Sequence, residues 1–278
     1  MDRELLLVLL GALVFQALLP LGWLLAGSAP AETANDSAIE LERRLGRRLV
    51  VPVIPSLLGL CALVGWALVE PEDAEALPWP AVVLAIPMLL VFVRALRRAL
   101  AATLRPRVDA AATIGLVRPR VVIAPDFAGE LEPQVVEAVL AHESAHARHR
   151  DPLRLWLAQL ITDLQWPSAS ARARLSAWQE ALELSRDEEA RSTVDGVDLA
   201  TGILAAARRV QPGGAAVAVV TARSPSLAAR IERLLSPLPE RAPRSGSSGP
   251  LAVVVGIAVA VAMGTLLGEC VIQSLLGR

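Results

Sequence analysis

The chain has 278 residues, 54% of them hydrophobic, and a formal net charge of −1. That apolar share exceeds the roughly 45–50% of ordinary soluble domains, and a near-neutral chain presents no overall positive field, so direct nucleic-acid binding is not expected. The two cysteines, Cys61 and Cys270, both lie in apolar stretches and form neither a CxxC site nor a disulfide framework.

In chain order, four apolar segments are long enough to cross a bilayer, which needs roughly 20 residues. They run from about Leu5 to Ala26, Leu49 to Val69, Leu77 to Val93 and Leu251 to Leu276. Pro20, Pro52, Pro55 and Pro87 fall inside or at the ends of these runs, which neighbouring helices can accommodate. A cleaved signal peptide is the alternative for the first segment, with Ser28-Ala29-Pro30-Ala31 as its small-residue site. Against it, the apolar run exceeds the usual stretch of about 7–15 residues, and Asp2 and Glu4 offset Arg3.

Arg43, Arg44, Arg47 and Arg48 precede the second segment, and Arg94, Arg97, Arg98, Arg105 and Arg107 follow the third. The loop between them, Glu70 to Glu75, carries acidic residues and no basic one. Basic residues at span ends mark the cytoplasmic side. The expected topology is a multi-pass protein of the inner membrane, with both termini outside and the polar region inside. Residues 1–98 form a three-span region, 99–249 a polar domain with its linker, and 250–278 a fourth span.

Within the polar domain, Val121, Val122 and Ile123 form a β-branched triplet between Pro119 and Pro125, which predicts a short edge strand. Helices are predicted over Glu132–Arg150, with Pro133 in the first turn, then Ala169–Ser192, Val197–Val210 and Ser226–Leu235. Gln211 to Gly214 breaks the chain, and Arg241 to Gly249 reads as a linker.

The first of these helices contains His142-Glu143-Ser144-Ala145-His146, an H-E-x-x-H motif. On a helix the two histidines stand one turn apart on one face and can grip one Zn²⁺. Glu143 is then the candidate catalytic base, close enough to take a proton from water activated by the metal. A third protein ligand is needed. Glu183 and Asp187 lie four apart on a later helix face, so one can bind metal while the other orients a ligating histidine. His149 shares the helical face but stands about 10 Å along the axis from His142, at about 1.5 Å per residue, so it reads as a rim residue.

Taken together, these pieces resemble the BlaR/MecR-type membrane metallopeptidases. Gly115 to Pro125 resembles the segment before that family's catalytic helix, and His142 to Leu153 its zinc motif with trailing basic residues and an aspartate. Trp166-Pro167 resembles the pair that follows. Glu183-Leu184-Ser185-Arg186-Asp187-Glu188 is similar to its third-ligand motif, with Arg186 where a cysteine is usual. The resemblance covers roughly residues 110–192 plus the order of spans. It implies a mainly α membrane protein of four transmembrane helices, with a cytoplasmic α+β gluzincin-like HExxH domain between the third and fourth. It further implies a zinc endopeptidase that holds its metal on His142, His146 and Glu183, with a protein substrate such as a transcriptional repressor. Only two residues follow the fourth segment, so no sensor domain is expected there, and β-lactam detection is not carried over. The trigger is left to the acidic outer loop or a separate sensor protein. Ser224 to Ile231 is similar to a late segment of the HtpX-like quality-control proteases, which makes these the alternative family. A catalytically silent zinc-containing receptor is the second alternative. The triplet Val121–Ile123 is expected to hold an extended substrate by strand addition.

Overall fold

A computed structural model describes residues 3–26, 37–69, 79–103, 108–209 and 227–236. Helix α1 spans Arg3–Ala26, and α2 spans Ala38–Val50. A 3₁₀ turn over Val51–Val53 joins α2 to α3, Ile54–Val69, and α4 runs over Trp79–Thr103. Strands β1, Ala111–Ile114, and β2, Arg120–Ile123, come next. They are followed by α5 (Pro125–Gly129), α6 (Pro133–Arg148), α7 (Asp151–Asp163), α8 (Ala169–Ala190), α9 (Gly196–Arg209) and α10 (Leu227–Leu235).

Three stretches are long and apolar enough to cross a membrane: Leu5–Ala26, Ala38–Ala67 and Trp79–Thr103. The expected fourth span, the acidic loop, the 211–214 break and the 241–249 linker lie outside the described residues. The three helices share one apolar core of Leu9, Ala12, Phe15, Leu19, Val53, Ala85, Met88 and Val91, with Phe15 edge-on to Phe92 at 5.5 Å. Small residues bring the backbones together. A Cβ on Gly22 would collide with the Pro52 backbone, so α1 crosses the 3₁₀ turn only because Gly22 has none.

Several elements differ from expectation. The Arg-rich stretch before the second span is not a loop but helix α2. The Ser37 side chain caps it by accepting from the Glu40 N–H, and it buries Ala38, Glu42 and Leu49 against α8 while its arginines stay at the surface or half-buried. The third span extends to Thr103, ten residues beyond the expected Val93, because Arg94 and Arg98 pair with Asp163 instead of ending the helix. Helix α7 was not expected at all.

The two strands pair antiparallel, Ala111 with Ile123 and Ile114 with Arg120, and Gly115 turns between them at φ 99°. A side chain there would also meet the Arg118 carbonyl. Helix α6 buries Val135, Ala138, Val139, His142, Ala145 and His146, one face at helical spacing. That face packs on the hairpin, α8 and α9. Gly202 of α9 lies directly over Val139, and Leu199, Ala200, Ala190 and Leu234 close the core around Ala138.

Candidate metal centre

Helical spacing puts His142 and His146 on the buried face of α6 with their ring centres 4.7 Å apart. Their Nε2 atoms converge to 3.1 Å. Glu183 of α8 completes the group, with its oxygens 3.7 Å from His142 Nε2 and 3.8 Å from His146 Nε2. Among the described residues these three form the metal-capable group. A tetrahedral ion with bonds of about 2.0–2.1 Å has ligand–ligand edges of about 3.3–3.4 Å. The His142–His146 separation lies a little below that value and the contacts to the two Glu183 oxygens a little above it, and two imidazoles with a carboxylate are an ordinary donor set for Zn²⁺.

The other nitrogens face carboxylates. His146 Nδ1 hydrogen-bonds Asp151 Oδ2 at 2.9 Å. His142 Nδ1 stands 3.0 Å from Asp187 Oδ1, an ion-pair contact that falls short of hydrogen-bond alignment. An anion at each Nδ1 favours the tautomer with its proton there, which leaves both Nε2 lone pairs aimed at the common point. Asp187 thus lies beside His142 Nδ1, while Glu183 faces the shared point.

Asp151 reaches His146 because of one backbone feature. Helix α6 ends at Arg148, and Arg150 adopts left-handed φ 53°, ψ 42°, which turns the chain straight into α7. Such a conformation costs a non-glycine residue about 1–2 kcal/mol. It brings Asp151, fully buried, back under the metal face.

Arg230 arrives from α10. Its Nε and Nη2 donate to both Asp187 oxygens at 2.8 and 2.7 Å, and its Nη1 lies 3.1 Å from Glu183 Oε2. Burial alone would raise the Glu183 and Asp187 carboxyls, but Arg230 and the histidines outweigh it and hold both below the usual carboxylate range. Burial likewise opposes the ionised form of Asp151, and His146, Arg186 and Arg154 overcome it. For His146, burial disfavours the imidazolium, yet Asp151, Glu183 and Glu143 together raise its affinity for a proton above the usual histidine value. A site that draws a proton this way draws a divalent cation by the same charges.

Glu143, half-buried, lies near enough to act electrostatically on His146 and Arg230 and is held by Thr113 of β1. The Thr113 hydroxyl lies 2.7 Å from the Glu143 carbonyl and 2.9 Å from its Oε2. Val121 is the cross-strand partner of Thr113, both strands pack on α6, and β1 touches Glu143 through Thr113. His149 stays outside the group, exposed and 2.8 Å from Glu189 Oε2.

The sequence reading gave no role to Thr113, Asp151 or Arg230. Asp151 followed by Pro152 is a helix-start signal that would have placed α7. Nothing local in the sequence pairs Arg230 with a residue 43 positions earlier.

Residues 88–190 match the family model described as BlaR1 peptidase M56. The match bears out the BlaR/MecR-type resemblance over that stretch, and it extends from the third span to the end of α8. Neither the curated proteins nor the solved structures provide a match.

Proposed function

We propose, on the premise that residues 88–190 carry a BlaR1-type M56 peptidase region, that this chain is an integral membrane zinc endopeptidase of gluzincin type. The observation that carries it is the convergence of His142, His146 and Glu183 beside a separately anchored Glu143. Zn²⁺ held by those three residues would supply Lewis acidity, polarising the scissile carbonyl and acidifying water. Glu143 takes the proton of the attacking water and returns it to the leaving amine, with Thr113 fixing the carboxylate. Asp151 and Asp187 keep the two imidazoles turned to the metal, and Arg230 keeps Glu183 and Asp187 ionised. An extended substrate segment adds along the free edge of the hairpin at Val121, Val122 and Ile123.

The Arg-rich span ends put residues 94–249 on the cytoplasmic side of the inner membrane, with both termini outside and the fourth span following. The substrate is then a cytoplasmic protein, and the family resemblance favours regulatory cleavage of a repressor under a separate sensor protein. A silent receptor fits less well, since a closed structural zinc site takes four protein ligands and the described residues bring three together. HtpX-like quality control is separated by breadth of cleavage.

The test uses purified full-length protein. Glu143→Gln is expected to keep Zn²⁺ and lose peptide cleavage by at least about 100-fold. Glu183→Ala is expected to lose the metal as well. Full activity of Glu143→Gln ends this mechanism. In cells, one or a few fragments missing from the Glu143→Gln strain support a regulator, and broad accumulation of uncut membrane proteins rejects it.

A further inference from the structure

Arg186 stands where the resembling family has a cysteine, and it is 2% exposed. A guanidinium in that position needs anions. Its Nε donates to Asp151 Oδ2, and its Nη2 reaches Asp151 Oδ1 at 3.2 Å and Glu42 Oε1 at 3.3 Å. Arg154 repeats the pattern from α7, donating to Asp151 Oδ1 at 2.7 Å and to Glu42 Oε1. Two guanidiniums therefore share two carboxylates, and one of those carboxylates also accepts from His146. Glu42, 5% exposed, is the one member from outside the peptidase region. It sits on α2, in the first part of the second stretch long and apolar enough to cross a membrane, Ala38–Ala67.

We propose that Glu42 is a positioning residue for His146, acting through Arg186 and Arg154 on Asp151, so that metal binding depends on α2 being seated against α7 and α8. The inference rests on reading His146 as a zinc ligand. Without Glu42, both guanidiniums draw on Asp151 as their main anion. Its Oδ2 then becomes a poorer acceptor for the His146 Nδ1–H, and the ring loses the partner that sets its orientation and basicity. Uncompensated positive charge beside the site also repels a divalent cation. Both effects weaken metal binding. Because α2 continues through the 3₁₀ turn into α3, and both the turn and α3 pack on α1, a shift of those helices that withdraws Glu42 is felt at the metal.

Zinc affinity of the full chain in detergent, measured by chelator competition, tests this without reference to cleavage. Glu42→Gln is expected to weaken Zn²⁺ by about tenfold or more, the usual effect of losing an outer partner. Glu40→Gln, on the exposed face of the same helix and paired with Arg43 and Arg44, should leave it unchanged. Glu42→Gln combined with Arg154→Met restores charge balance and is expected to recover most of the affinity, which a packing role for Glu42 would not predict. Affinity of Glu42→Gln within about twofold of the native chain, or no recovery in the double variant, overturns the relay. If Glu42→Gln does not fold, Glu42→Asp is read in the same assay. It keeps the charge but draws it back one methylene, so weaker zinc supports the relay and unchanged zinc overturns it. A native chain that binds no Zn²⁺ sinks the metal-centre reading instead.

Discussion

Thr113 has one hydroxyl proton and two acceptors, the Glu143 carbonyl and its carboxylate. The charged acceptor gives the stronger bond, about 1.5–3 kcal/mol against about 1 for the neutral one. Thr113→Val keeps the shape and removes that bond. The expected result is a kcat about tenfold lower with unchanged zinc affinity, read by peptide kinetics and chelator competition. A fall in melting temperature alone would make the hydroxyl structural. Glu189 gives a pH-dependent case. Burial would raise its carboxyl, but Arg148 and His149 hold it below the usual range. A lowered pKa contributes stability above the ordinary glutamate value and loses it as pH falls through the lowered one. Glu189→Gln should therefore cost less than about 1 kcal/mol at neutral pH, since its closest partners, Arg148 and His149, are exposed. The gap in urea midpoints should shrink towards pH 4 or so. Residue by residue, His142, Glu143 and His146 were legible because helix periodicity alone places them. The spacing of Glu183 and Asp187 was legible, but their division of labour was not, since either could face the metal until α8 was docked on α6. Asp151 depended on a left-handed Arg150 that no pattern announces, and Arg230 on a contact between distant elements.

Among the elements, α6 and α9 touch most closely where Gly202 lies on Val139. Alanine there would gain about 1 kcal/mol in helix propensity, but its methyl would occupy the space of the Val139 side chain. Overpacking typically costs about 1–3 kcal/mol, so Gly202→Ala is expected to destabilise the domain, as a lower urea midpoint would show. An unchanged midpoint would mean that α9 moves freely over α6. The amphipathic helices were read from periodicity within a few residues of their ends. Helix α2 was not, because its four arginines masked the apolar and acidic face formed by Ala38, Glu42 and Leu49. Helix α7 was legible in Asp151-Pro152, an acidic residue and a proline in a first turn, but went unread.

At the scale of the molecule, the ends of the membrane-crossing helices meet the peptidase region directly. Trp23 donates to Gln165, Arg94 and Arg98 pair with Asp163, and Trp156 donates to the Ala99 carbonyl. The basic residues that suggested a cytoplasmic side are thus also docking residues. A reporter fused after Arg98 is expected to be active only in its cytoplasmic form. Activity of a periplasmic reporter at that position would overturn the proposed orientation. The core of Leu49, Ala158, Leu175, Trp178 and Leu182 crosses the same boundary, with Gly46 letting α2 approach the Trp178 indole. The apolar helices and the polar domain are therefore not exchangeable modules. A chimaera joined at residue 108 would pair one protein's α2 with another's α8 and mismatch both Leu49 and Glu42. A graft that keeps these contacts carries α1 to α4 along with the polar domain, since Trp23, Glu42, Leu49, Arg94 and Arg98 all reach into it.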